Sequence, residues 1–327
     1  MGVAEGLDVR LEEHRIGLTG YCYRLLGSGF EAEDAVQEAF VRAWQSIDGF
    51  QGGRASLKTW VYAIATNVCF DMLRSVQRRA RPMDLSAPSQ PGSPIGVPLP
   101  DSAWVQPIPS SRVLAAHADP AELAAQRETV RLAFVAALQQ LPPKQRAVLI
   151  LRDVLRWKAD EVADLLDASV ASVNSALQRA RSTMDSRELA AGRPMDDEQR
   201  KLLGRYVDAF ERYDVEALTA LLHEDATMSM PPFRWWLRGR EAIRGAWVGG
   251  ADGPCKGSVF VPVEASGMPA YGQYVPASGG GYKPWALVLF DIRGERIAGI
   301  CTYLNADRLF PLFNLRLTGE SGNSSQF

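Results

Sequence analysis

The side chains best placed to do chemistry in this chain are hydrogen-bond donors and cations suited to a polyanion. Within Trp157–Arg181, WKADEVADLLDASVASVNSALQRAR, the residues Val173, Leu177 and Ala180 recur at helical spacing and predict an inward face. Ala171, Ser172, Asn174, Ser175, Gln178, Arg179 and Arg181 then point outward, and Ser169 stands where a helix cap belongs. Small hydroxyl and amide side chains near a helix N-terminus suit entry into a major groove, and arginines further along can hold phosphates. On periodicity alone, the same pattern also describes an ordinary helical hairpin. A second group is basic. From Gln51 to Pro82 there are six cations, Arg54, Lys58, Arg74, Arg78, Arg79 and Arg81, against the single acid Asp71, whereas acids outnumber bases from Met1 to Phe50. Such a stretch is either a phosphate-binding footprint or a solvated helix face.

Other chemistries have weaker support. Cys22, Cys69, Cys255 and Cys301 are isolated, without the paired spacing of a zinc site, so no metal and no cofactor is expected. Buried free thiols in a reducing cytoplasm fit them best. His223, Glu224, Asp225 and Tyr303 could act as acids or bases by type, but no pair is fixed, and the first three read as the charged end of a helix. The N-terminus lacks the apolar core of a signal peptide, and no apolar run approaches a membrane span. A cytoplasmic protein without a membrane partner is expected.

The elements that must position these residues follow from composition and period. At 327 residues, 46% hydrophobic and 23% charged, the chain should form two or three packed domains. Residues 8–81 read as helices. One apolar run is Ala35, Val36, Ala39, Phe40, Ala43 and Trp44; a second runs from Trp60 and Val61 to Met72 and Leu73; the glycine-rich DGFQGGRAS lies between them. Nine of the 20 prolines fall from Pro82 to Pro120, which predicts a flexible, partly extended linker over 82–119. Asp119-Pro120-Ala121-Glu122 then reads as a helix start, opening a helical domain over 120–187. Beyond Gly192-Arg193-Pro194, an amphipathic helix (Leu202, Leu203, Tyr206, Val207, Phe210) and the runs SVFVPV, WALVLFDI and RIAGICTYL predict an α+β domain over 198–318.

These segments carry a resemblance. LPPKQRAVLILRDVLRWKADEVADLLDASVASVNSALQRARSTM resembles the upstream-promoter-reading domain of extracytoplasmic-function RNA polymerase sigma factors, with its Leu-Pro-x-x-x-Arg opening and Arg-Ala-Arg close. Lys158 departs from the pattern, because a lysine cannot accept the capping hydrogen bond of the hydroxyl residue often found there. DAVQEAFVRAW resembles the helix with which these factors grip core polymerase, which implies a polymerase-binding role for Asp34, Gln37, Glu38 and Arg42. LKTWVYAIATNVCFDMLRSVQRR resembles the promoter-melting helix, and FQGGRAS the loop that captures a flipped base. That likeness implies downstream-element contacts by Arg54, Lys58, Trp60, Asn67, Arg74, Arg78 and Arg79, and upstream-element contacts by Ser169, Ser172, Asn174, Ser175, Gln178, Arg179 and Arg181.

The third segment resembles the SnoaL-like cone fold that is fused to one branch of these factors. Such cones hold an apolar cavity, which Trp235, Trp236, Trp247, Tyr271, Tyr274, Trp285 and Tyr303 could line; core packing is the simpler role for each. The resemblance thus implies a multidomain chain: two all-α sigma domains, the second a helix-turn-helix, and a C-terminal α+β cone domain. Core RNA polymerase and promoter DNA are the implied partners, and the cone would regulate transcription in cis. The alternative is a DNA-targeted ligand sensor or a SnoaL-like enzyme. The polymerase-gripping and melting segments favour the sigma factor, since an ordinary helix-turn-helix regulator has no need of them.

Overall fold

The computed structural model describes residues 6–47, 50, 56–74, 78–115, 119–185, 196–249 and 255–317. Two compact units interleave along the chain. One combines residues 1–79 with 105–192, and the other combines 80–104 with 193–327.

The first unit is helical. Helices α1 (Leu7–Glu12), α2 (Arg15–Leu26), α3 (Gly29–Gln45) and α4 (Leu57–Leu73) come first. The single turn α5 (Pro82–Leu85) belongs to the other unit. Helices α6 (Pro120–Val130), α7 (Leu132–Leu138), α8 (Pro143–Leu149), α9 (Ala159–Leu165) and α10 (Val170–Asp185) complete the helical one. The boundaries have local causes. Gly27 ends α2 in the left-handed conformation, its amide on the Tyr23 carbonyl at 2.8 Å. Ser28 opens α3 by accepting the Glu31 amide, and Ser56 opens α4 by accepting that of Thr59. Asp119 caps α6 through the Ala121 amide at 2.9 Å, with Pro120 in the first turn. At α9 the Glu161 carboxylate accepts the Lys158 amide at 2.7 Å, which is the carboxylate half of a capping box; Lys158 itself offers no side-chain acceptor to the first-turn amides.

Buried polar groups join α2 to the later helices. The Arg146 guanidinium donates to the carbonyls of Leu25, Gln139 and Leu141 and to Gln139 Oε1. Arg24 donates to the Gly20 carbonyl and the Thr129 hydroxyl. Neither cation faces a carboxylate among the described residues, and burial lowers each to about 10, still fully charged near neutrality. Tyr62 of α4 packs on Trp157, with ring centroids 5.1 Å apart.

The second unit is built on a mixed six-stranded sheet. Helices α11 (Asp197–Glu211) and α12 (Val215–Ala220) precede β1 (Leu222–Ser229) and β2 (Trp236–Arg238). Then come α13 (Arg240–Gly249), β3 (Val259–Ala265), β4 (Met268–Pro276), β5 (Tyr282–Arg293), β6 (Arg296–Tyr303) and α14 (Ala306–Leu312). The strand order is β2-β1-β6-β5-β4-β3, with only β1 and β6 parallel. Tyr206 and Phe210 of α11 pack edge-on against Phe260 and Phe290 of the sheet.

Two expectations change here, and one strand has no counterpart in the sequence reading. His223, Glu224 and Asp225 lie on strand β1, not at a helix end, because α12 closes at Ala220. Strand β4 escapes a pattern search because prolines and Gly272 interrupt it. A Cβ on Gly272 would stand 2.6 Å from a Leu315 methyl, so close packing of the C-terminal segment requires glycine there. The segment 82–119 is also not a free linker. Residues 80–104 are hydrogen-bonded to the sheet unit, and Val105, Ile108, Val113 and Leu114 are buried in the helical unit. A proline-rich composition limits backbone donors, yet the Ser89 and Leu99 amides donate to the Trp236 and Pro232 carbonyls.

Candidate nucleic-acid interface

Helix α10 presents the pattern read from its sequence. Val173, Leu177 and Ala180 are buried, joined by Ala176. Ser169, Ser172, Asn174, Ser175, Gln178 and Arg179 are exposed, and Ser169 Oγ accepts the Ser172 amide at 3.2 Å. Asn174, Gln178 and Arg181 share a shallow depression of about 550 Å³ with Arg152. Arg181 is exposed but paired in bidentate fashion with Asp153, at 2.6 and 2.8 Å, so its guanidinium is aimed across the domain.

Helix α4 divides its residues between core and solvent. Val61, Ala65, Val68 and Cys69 are buried, and Asn67 and Arg74 are exposed. Trp60 is half-buried and stacks on Phe50 at 4.8 Å, so it and Asn67 share a helix side with unequal access to solvent. Lys58 is turned onto the Trp157 ring, 5.2 Å from its centroid, in a cleft of about 850 Å³ also lined by His14, Arg24 and Tyr62. Burial, and then the Lys58 charge, hold the His14 imidazole below its usual range.

Arg78 is exposed, whereas Arg79 is 3% exposed and ion-paired with Glu31. Arg79 is therefore corrected from a backbone-tracking residue to a structural one: its charge is already neutralised inside the helical unit. Arg54 and nearly all of the FQGGRAS loop lie outside the described residues.

Helix α3 carries a mixed outer face. Asp34, Gln37, Glu38 and Arg42 are exposed, and Arg42 donates to Glu38 at 2.7 Å. Beside them stand Val41 and Trp44, the latter 52% exposed with its Nε1 on Asp8 Oδ1 at 2.6 Å. Sequence periodicity assigns Trp44 to the inward run. It sits instead at the edge of that stripe, on the side that turns outward, and Val41 was missed because it falls between inward positions.

In the sheet unit, Trp235, Trp247, Tyr271 and Trp285 join one apolar cluster, while Trp236, Tyr274 and Tyr303 lie outside it. Tyr274 packs on Phe310 and donates to the Arg316 carbonyl at 2.9 Å. The proposed cavity set is thus divided: Trp236 does not share the cluster of Trp235. Among the described residues there is no group of three His, Cys, Asp or Glu arranged to hold a metal ion. No described helix is long and apolar enough to cross a membrane.

Fold and surface together define a chain with a helix-turn-helix, α9 and α10, inside a helical unit, and a separate α+β unit built on a mixed sheet. Family models agree along the chain: Sigma-70 region 2 matches residues 11–79, Sigma-70 region 4 matches 131–184, and a SnoaL-like domain matches 203–300. The chain is 41% identical to the ECF RNA polymerase sigma factor SigG of Mycobacterium tuberculosis over 309 residues, covering 93% of this chain and 82% of that protein. It is 28% identical to SigJ of the same organism over 67% of this chain and 62% of that one. The crystal structure of SigJ shares the fold, with a TM-score of 0.61 at 20% identity over 94% of this chain and all of that one. The chain belongs to the extracytoplasmic-function RNA polymerase sigma factor family. It is a specificity subunit that binds core polymerase, recognises upstream and downstream promoter elements and initiates transcription.

Proposed function

We propose that three exposed faces divide this work. The mixed face of α3, with Asp34, Gln37, Glu38 and Arg42 around Val41 and Trp44, grips core polymerase. An apolar centre within a polar rim is the anatomy of a protein interface. The exposed side of α4 with Asn67, Arg74 and Arg78 engages the opened downstream element. The outer face of α10 reads the upstream element, with Ser172, Asn174 and Ser175 toward base edges and Arg179 on phosphate. The observation that carries this reading is the burial pattern of α10, which leaves hydrogen-bonding side chains outward along its first two turns.

The cone domain acts as a regulator of these modules in cis rather than as an enzyme. The test is in vitro transcription with purified core polymerase, comparing the full chain with a chain ended after Arg187 at matched concentration. Regulation in cis changes transcript yield several-fold in either direction. Equal yields, together with turnover of a substrate by the full chain, would make the cone a catalytic domain.

A further inference from the structure

Two exposed cations of the helix-turn-helix stand where backbone chemistry favours other residues. Arg156, in the turn before α9, has a φ of 59°. That is the left-handed region, which suits glycine or a short polar side chain, and an arginine there costs stability. Lys158 occupies the capping position of α9 and makes no side-chain cap bond. Trp157 lies between them and is buried. Its amide donates to the Leu151 carbonyl at 2.9 Å, its carbonyl accepts from the Arg152 guanidinium, and its ring packs on Tyr62. With the middle residue fixed at backbone and ring, Arg156 and Lys158 are held at the surface on either side of it, both exposed. Other charge in this module is already engaged. Arg146 is buried, and Arg181 is paired with Asp153. Glu161 accepts the Lys158 amide, so of the nearby acids Asp160 keeps an exposed carboxylate. On α10, Arg179 is the cation without an ion pair among the described residues.

We propose that Arg156 and Lys158 form a phosphate-binding pair that holds the DNA backbone beside the upstream element and fixes the register at which α10 enters the groove. The proposal rests on the reading of α10 as the helix that meets the upstream element, and it adds the residues that anchor that helix. A helix-turn-helix is positioned largely by phosphate contacts, and the first of its two helices crosses the DNA backbone. A recognition helix with one unpaired cation neutralises few phosphates by itself, whereas the turn before α9 supplies two more. Each of the two departs from a local rule of backbone geometry or capping, which is the pattern of a functional position rather than a structural one. Contacts of this kind add affinity that falls with salt and does not distinguish one sequence from another.

Two substitutions separate binding from folding, because each also repairs the backbone. Arg156→Gly relieves the left-handed strain and Lys158→Ser supplies the missing cap acceptor, so neither lowers the midpoint of denaturant unfolding. The full chain is assembled with core polymerase, and binding to a promoter fragment selected by the unaltered holoenzyme is measured from about 50 to about 200 mM salt. Each substitution weakens binding roughly eightfold at about 0.1 M salt and makes the log–log salt slope shallower by about one unit, the double variant by about two. The preferred sequence in a fragment library stays the same. On a fragment cut back so that it lacks the upstream element, the variants and the unaltered chain bind alike. Equal losses on both fragments, or a loss that tracks a fall in the unfolding midpoint, overturn the proposal. Arg179→Ala is the reference. If it flattens the slope and the other two substitutions do not, the phosphate-binding pair is overturned and α10 keeps its role; if none of the three alters binding, the placement of α10 on the upstream element fails as well.

Discussion

Arg78 and Arg79 are adjacent in sequence and opposite in role. Arg79 is buried against Glu31, and Arg78 reaches solvent. Replacing Arg79 by Ala strands a partly buried carboxylate and costs about 3 kcal/mol, toward the lower end for breaking a buried pair because Glu31 keeps some access to water. Denaturant unfolding measures this; a loss below the scatter of the method would return Arg79 to the DNA-facing set. Arg78→Ala changes stability by no more than about 0.5 kcal/mol. It instead makes promoter binding less salt-dependent, by about one unit of log–log slope. Asn67 is a similar separator: Asn67→Ala reduces the permanganate reactivity of promoter thymines more than it reduces polymerase binding, and equal losses would mark it as structural.

At the scale of single helices, α3 and α10 each bury one face and leave the other for a partner. Reversing charge at Asp34 and Glu38 leaves the buried side of α3 intact, so the fold persists while co-purification with core polymerase weakens. Unchanged affinity would remove this face from the interface. On α10, Arg179→Ala weakens binding to all sequences alike, whereas changes at Ser172, Asn174 or Ser175 alter which upstream element is preferred. Competition binding with a promoter library distinguishes the two outcomes, and the reverse assignment would mean that the helix docks the other way round. Arg181 differs from Arg179 because Asp153 already holds it; its replacement frees that acid, and the added negative charge near the DNA accounts for part of any loss.

At the scale of the whole molecule, the chain folds as two units whose boundaries do not follow chain order, because residues 80–104 join the sheet unit. That assignment predicts slow amide exchange at Ser89 and Leu99, the donors to Trp236 and Pro232. Proton-exchange NMR of the full chain reads both sites; exchange at the rate of an unstructured peptide at both would return the segment to a free linker.

The helical modules and their outward faces were legible in the sequence because a helix sets its pattern locally. The 3.6-residue period alone puts Val173, Leu177 and Ala180 inward and Asn174 and Arg179 outward, and Asp119-Pro120 announces a helix start within four residues. The amphipathic helix α11 and strands β3, β5 and β6 were visible for the same reason. What tertiary structure decided were the pairings between distant residues: Arg79 with Glu31, Lys58 over Trp157, β1 beside β6, and Trp236 with Ser86 across 150 positions. An arginine near DNA-facing neighbours and one that neutralises a buried carboxylate have the same local sequence signature. A proline-rich stretch likewise looks unstructured until the distant carbonyls of Trp236 and Pro232 accept its Ser89 and Leu99 amides, and no local pattern encodes those partners.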